Sequence, residues 1–275
     1  LDRLIGPLVA ALVILALHAY LGLHVIVREI IFVDLAFAQI AALGATAGML
    51  LGAAPGSPGS FAWSLGFTLL GALVFAFTRL EDSPVPQEAI IGITYVVAGA
   101  AVILLAGFTA EGAEHIKETL TGALIWVTWP TVLRMAAVYA VMGVFYYVFR
   151  RQFFAVSSAP ASLAHARFWD FLFYATFGIV ITFSVAITGV LMVFSSLVIP
   201  AVIAFLYTPR FGRALLIAWA SGALAIVAGL AISFIWDVAT GPVLVCSFGG
   251  VLILAAALRP LLVPRRRAVT TTDGR

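Results

Sequence analysis

From Phe171 to Tyr207 the chain runs without a single charged residue. As one helix this stretch would be about 55 Å long, far more than the ~30 Å hydrocarbon core of a bilayer. It must therefore turn or break, and Gly189, Ser195, Ser196 and Pro200 are the weak points on offer. The rest of the chain has the same character. Of its 275 residues, 64% are hydrophobic and 10% charged, whereas a soluble domain carries about 25% charged residues. No soluble core of this length hides so much apolar side chain, so the chain crosses a membrane many times.

Stretches of about 20 apolar residues, the length of one crossing, fall near 5–27, 31–53, 61–79, 88–108, 130–149, 168–188, 190–207, 212–235 and 242–262. The expected fold is all-α: a polytopic transmembrane helix bundle of nine spans, or eight if one segment only re-enters. The first run, Gly6 to Val27, exceeds the ~7–15-residue core of a signal peptide and reads as a span. One transmembrane domain is expected over 1–264, followed by a basic tail over 265–275. The single cysteine, Cys246, excludes an intrachain disulfide.

Loops that face the cytoplasm carry excess Lys and Arg. With the N-terminus outside and nine alternating spans, Arg28, Arg79, Arg150, Arg151, Arg167, Arg210, Arg213, Arg259, Arg265, Arg266, Arg267 and Arg275 all fall on the inner side. Only Arg3, Lys117 and Arg134 fall outside. A single span over 171–207 would put Arg265–Arg267 outside, so the charge rule also favours the turn. The C-terminus is then cytoplasmic, and the outer mouth is acidic, with Asp2, Glu111, Glu114, Glu118 and Asp237.

No phosphate-binding loop, zinc-protease motif, Cys/His cluster or nucleophile triad is present, and the four histidines are scattered. The chain is not expected to be an enzyme, to carry a covalent cofactor or to bind nucleic acid. Its sharpest polar feature is FVDLAFAQIAALG (32–44), with Asp34 and Gln39 inside a span. A carboxylate there costs roughly 2.5–3.5 kcal/mol and usually faces the bundle interior or a wet path. Asp34 either pairs with Arg28, about 9 Å away along a helix, or lines a pathway and contacts a metal. Gln39 lies about 140° further around the helix, where it can bridge to a neighbour. Small residues follow, among them Gly44 and Gly48 in a GxxxG spacing, so Asp34, Gln39, Gly44 and Gly48 are the candidate pathway residues. His18 reads as a buried histidine bonded to a neighbouring helix rather than an ion ligand.

Two longer loops are also informative. Glu111, Glu114, His115 and Glu118 in the outer loop share one helical face, either as a solvated amphipathic helix or as an acidic mouth that draws cations. The inner loop, 150–167, is apolar and small with Arg at both ends. It is either a plain connection or a docking segment for a cytosolic subunit.

Several stretches together resemble the permease subunits of ATP-binding-cassette importers for zinc, manganese and iron. They are Gly189–Leu191, Ile199–Ala201, the loop bounded by Arg210 and Arg213, the Asp237–Pro242 turn, and QEAIIGI at 87–93. The resemblance implies a multi-pass protein of a bacterial plasma or inner membrane. It would work as a homodimer in the bilayer, joined by two cytosolic ATPases and an extracellular or periplasmic solute-binding protein. Closure of the ATPases would rock the dimer between inward- and outward-facing states while a divalent metal, or a metal complex, passes between the subunits. Residues 150–167 take the place of the family's coupling loop, with Ser157, Ser158, Ala161, Leu163 and Arg167 as candidate ATPase contacts. The family's second span carries Gly-Asp-Ala-x-x-His. Here, with Gly44 aligned, Gln39 takes the His position, Leu35 the Asp position, and Asp34 stands one residue out of register. A fold-retaining module that does not import and an ion-coupled secondary carrier using Asp34 are the other readings. Secondary carriers often show internal repeats, and this sequence shows none.

Overall fold

A computed structural model describes residues 2–79, 85–108, 122, 124–158, 163 and 165–262. The described residues form nine α-helices: α1 (Asp2–Val27), α2 (Val33–Leu50), α3 (Pro58–Thr78), α4 (Gln87–Ala106), α5 (Trp129–Val148), α6 (Arg150–Ser158), α7 (Ala166–Tyr207), α8 (Phe211–Trp236) and α9 (Thr240–Leu262). A single 3₁₀ turn, Leu124–Trp126, precedes α5. All but α6 are long and apolar enough to cross a bilayer. In lipid the backbone must satisfy itself within each segment, so helices are the natural outcome. Local signals set their ends. At α3, the Ser57 side chain accepts from the Ser60 N–H at 3.2 Å and Pro58 opens the helix, the usual N-terminal pairing of cap and proline.

The uncharged 171–207 stretch lies within α7, which has 42 residues and a non-helical Gly189 at φ 75° and ψ 162°. That conformation belongs almost only to glycine. His18 shows how far the chain bends there. Its Nδ1 bonds Ser196 Oγ and its Nε2 bonds Ser184 Oγ, each at 2.9 Å. One imidazole with a bond at each nitrogen holds two oxygens within about 8 Å, yet twelve residues of straight helix would part them by about 18 Å. The chain therefore reverses at Gly189, and α7 is a helical hairpin with arms 166–188 and 190–207. Each arm is long enough to be a span of its own, as the nine-span reading expects. Gly122 packs onto the bend so closely that a Cβ there would lie 2.2 Å from the Thr188 carbonyl carbon.

The bundle wraps around this hairpin. Its arms contact α1, α2, α3, α8 and α9. Lipid gives no hydrophobic drive between spans, so close backbone approach matters. Gly22 of α1 allows it: a Cβ there would sit 2.0 Å from the Leu197 carbonyl oxygen. Toward one end an aromatic core forms, with Phe37 and Phe75 at 5.2 Å and Phe75 and Tyr174 at 5.7 Å.

The same end gathers the end of α1 with α6 (His24 to Ser157), the end of α3 with the start of α7 (Arg79 to Asp170), and the ends of α7 and α9 (Tyr207 to the Ala255 carbonyl). Arg28, Arg79, Arg150, Arg151, Arg167, Arg210, Arg213 and Arg259 lie at these helix ends, and Arg134 sits near the opposite end of the bundle. Among the described residues the arginines thus segregate toward one end of the bundle.

Gly189→Val places a β-branched residue at a glycine-only conformation and costs about 1–3 kcal/mol. It lowers the melting temperature in detergent. Gly66→Ala, at a helical site where a Cβ meets nothing within 4 Å, leaves it unchanged or raises it.

Candidate translocation site

Asp34 stands in the first turn of α2 and is 1% exposed. Neither carboxylate oxygen has a hydrogen-bond partner among the described residues. The backbone N–H groups of residues 34 and 35 lie near the carboxylate. The positive end of the helix dipole favours an anion there. Glu88, in the first turn of α4, reaches across to the same place: its Oε1 accepts from the Phe32 N–H at 3.0 Å, and its Oε2 is buried and unpaired.

Arg28 is not the partner of Asp34. Its Nη2 donates to Asp170 Oδ1 at 2.5 Å, and Arg79 Nη1 donates to the same oxygen at 2.5 Å. Asp170 wins because its oxygen lies on the buried face of α7, where Arg28 also lies 4.3 Å over the Phe173 ring. Burial acts to lower the pKa of Arg28. Tyr174 and Asp170 act the other way and prevail, so the shift is upward and the guanidinium keeps its charge. Arg79 also donates to the Val156 carbonyl of α6 at 3.4 Å. The Arg28–Asp34 pairing is thereby corrected, and the carboxylate of Asp34 is left free.

The other pathway candidates point elsewhere. Gln39 is half-buried and lies against α4, where a Cβ on Gly99 would be 3.5 Å from its Oε1. Gly44 and Gly48 receive α3: Cβ atoms there would lie 2.6 Å from the Trp63 carbonyl oxygen and 2.7 Å from the Trp63 ring. Beside them opens a cavity of about 500 Å³, lined by Ala41, Ala42 and Ala45 of α2, Ser60 and Ser64 of α3, and Thr182 of α7. It lies at the α2–α3 turn, away from the arginine-rich end. The hydroxyls of Ser60, Ser64 and Thr182 escaped the sequence reading. Their signal was there: Ser60, Ser64 and Thr68 recur every four residues, one helical stripe.

His18, with both ring nitrogens bonded to serines, has none left for a ligand. Tyr139 bonds the same Ser184. Among the described residues no group of three or more His, Cys, Asp or Glu side chains converges as a metal cage. Glu111, Glu114, His115 and Glu118 lie outside the described residues.

The inner loop begins as α6, an amphipathic helix. Phe153, Val156 and Ser157 are buried, and Arg151, Phe154 and Ser158 are exposed. Ser157 Oγ and His24 Nδ1 are hydrogen-bonded at 2.9 Å. Arg167 is exposed and Leu163 half-buried, while Ala161 lies outside the described residues.

Residues 2–259 match the sequence profile of the ABC 3 transport family. The chain belongs to that family. Among its relatives, the manganese transport system membrane protein MntC of Listeria innocua is 25% identical over 183 residues, 65% of each chain. The chelated iron transport system membrane protein YfeC of Yersinia pestis is 26% identical over 196 residues, 70% of this chain and 64% of that one. The matches thus span just under two thirds of these relatives. The fold agrees with that of PsaBC from Streptococcus pneumoniae, solved in complex with Fab: TM-score 0.76 at 22% identity, over 93% of this chain and 91% of that one. A metal-chelate type ABC transporter in an inward-facing conformation aligns with TM-score 0.65 at 20% identity, over 94% and 84%. The protein is accordingly a multi-pass membrane protein of the ABC 3 transport family.

Asp170→Asn leaves the 1%-exposed side chain of Arg28 with a poor partner, and breaking a buried pair costs about 3–5 kcal/mol. Arg79, 22% exposed, is less critical: Arg79→Ala costs about 1.5–3 kcal/mol, the worth of a hydrogen bond to a charged group. Melting temperatures of the purified variants rank them, with Asp170→Asn the lower.

Proposed function

We propose that the chain is the membrane-spanning permease of an ATP-driven importer for a divalent metal cation or a metal complex. It works as a homodimer by alternating access, with the pathway between the two copies. The family match across residues 2–259 carries this reading, and the names of the manganese and chelated-iron relatives support the cargo class. The N-terminus lies outside and the C-terminus inside, because the arginine-rich end belongs in the cytoplasm. Cytosolic ATPases then meet α6 and the segment through Ala161 to Arg167. An extracellular or periplasmic binding protein delivers at the opposite end, where the α2–α3 cavity opens.

Within the pathway, α2 is the working helix. Asp34 supplies a carboxylate near the inner end, Gln39 an amide about 7.5 Å further along on the side facing α4, and Gly44 and Gly48 hold α3 close so that the small-residue face lines the cavity. The available donors are oxygens, while His18 is committed to serines. Hard oxygen donors suit manganese better than zinc, so manganese is the leading cargo among zinc, manganese and iron. The free carboxylate would also serve an ion-coupled carrier, and dependence on ATP separates that reading from this one.

Cells that lack the chain, grown in metal-limited medium, accumulate less manganese, iron or zinc than the parent by elemental analysis. The wild-type chain restores the level; Asp34→Asn inserts normally but does not restore it. Unchanged levels of all three metals would sink the importer reading.

A further inference from the structure

Between α5 and α8 the bundle leaves a crevice of about 560 Å³, floored by α1 and bounded at one end by α6. That volume is within the ~300–1,000 Å³ typical of small-molecule sites. Leu17 and Tyr20 of α1, Tyr146 of α5, Phe154 of α6, and Phe211 and Trp219 of α8 line it. Val144 and Tyr147 on α5 and Leu216 on α8 are exposed nearby, so the crevice lies among surfaces that face acyl chains.

The lining changes character only where Arg150 and Arg151 open α6. Both are exposed. Arg150 lies 4.6 Å over the Tyr147 ring and donates to the Tyr147 carbonyl at 3.4 Å. Among the described residues neither arginine pairs with a carboxylate. His24 lines the same end. Ser157 Oγ lies 2.8 Å from the Phe153 carbonyl and 2.9 Å from His24 Nδ1. The Nε2 of this 1%-exposed histidine is buried and has no partner among the described residues.

We propose that this crevice binds one anionic glycerophospholipid. An acyl chain lies along the aromatic floor, and the phosphate rests on Arg150 and Arg151. The charge distribution selects this occupant: an apolar slot that ends in two unpaired cations at a helix boundary complements an acyl chain that ends in a phosphate. The site does not depend on the transport reading. Its position gives it a consequence there, because the phosphate sits on the first turn of α6, the helix that leads into the loop proposed to meet the ATPase.

Native mass spectrometry of the full chain in detergent, with added phosphatidylglycerol or phosphatidylcholine, tests it. One phosphatidylglycerol per chain is retained and phosphatidylcholine is not. The double variant R150A/R151A weakens retention by about ten- to thirtyfold, the size expected for two cations withdrawn from an anionic headgroup. Gly143→Leu is the second probe: Gly143 lines the crevice, and a Cβ there meets nothing within 4 Å. It fills the slot without crowding the protein and displaces the lipid, with an unchanged melting temperature in lipid-free detergent. Equal retention of the two lipids overturns the proposal. So does phosphatidylglycerol retention that neither variant alters, or a dimer that Gly143→Leu dissociates while lipid retention is unaffected.

Discussion

One oxygen of Asp170 accepts from both Arg28 and Arg79, and the arginine-rich end of the bundle is organised around it. The triad joins the α1–α2 connection, the end of α3 and the start of α7, and Arg79 extends it to α6 through the Val156 carbonyl. Charges so poorly solvated persist only with partners, which makes this junction stiff. Arg28 adds a stacked contact with Phe173. The arrangement also explains Asp34. Because Asp170 takes Arg28, the carboxylate at the start of α2 has no cation of its own among the described residues, as the proposed pathway role requires. A rigid ion-pair frame and an unpaired carboxylate thus lie at one end of the molecule, where ATPases would push.

The second organising element is the hairpin of α7. Gly189 supplies the bend, and His18 fastens both arms to α1 through Ser184 and Ser196. Thr182, on the first arm, meets Thr68 of α3 at 3.0 Å, and its neighbours border the α2–α3 cavity. The cavity wall is therefore fixed by the same arm that His18 holds. A movement of the hairpin would reach the cavity through Thr182 and α1 through His18, a packed route of the kind the proposed alternating access needs.

Much of the bundle was legible in the sequence because membrane spans follow from apolar length alone. The 171–207 stretch was too long to cross once, and Gly189 was where it turned. His18 was readable as a satisfied buried histidine, though nothing in its neighbourhood named Ser184 and Ser196, which lie far away in sequence. Asp34 shows the limit. Its spacing from Arg28 allowed a local pair, and only tertiary packing could reveal that Asp170 competes for that arginine. Gly44 and Gly48 announced close packing but not the partner, which is Trp63. The cavity hydroxyls were missed because attention went to charged and amide groups on α2, although the four-residue recurrence of Ser60, Ser64 and Thr68 marked a polar stripe on α3.

The account depends on a pathway powered by ATP through α2. The most direct measurement is uptake of radioactive manganese into proteoliposomes that contain the chain together with its ATPase. Uptake that requires ATP, ignores an imposed pH gradient and is lost in Asp34→Asn is the result the account predicts. Uptake that proceeds without ATP and follows a pH gradient, or that survives Asp34→Asn undiminished, would contradict it.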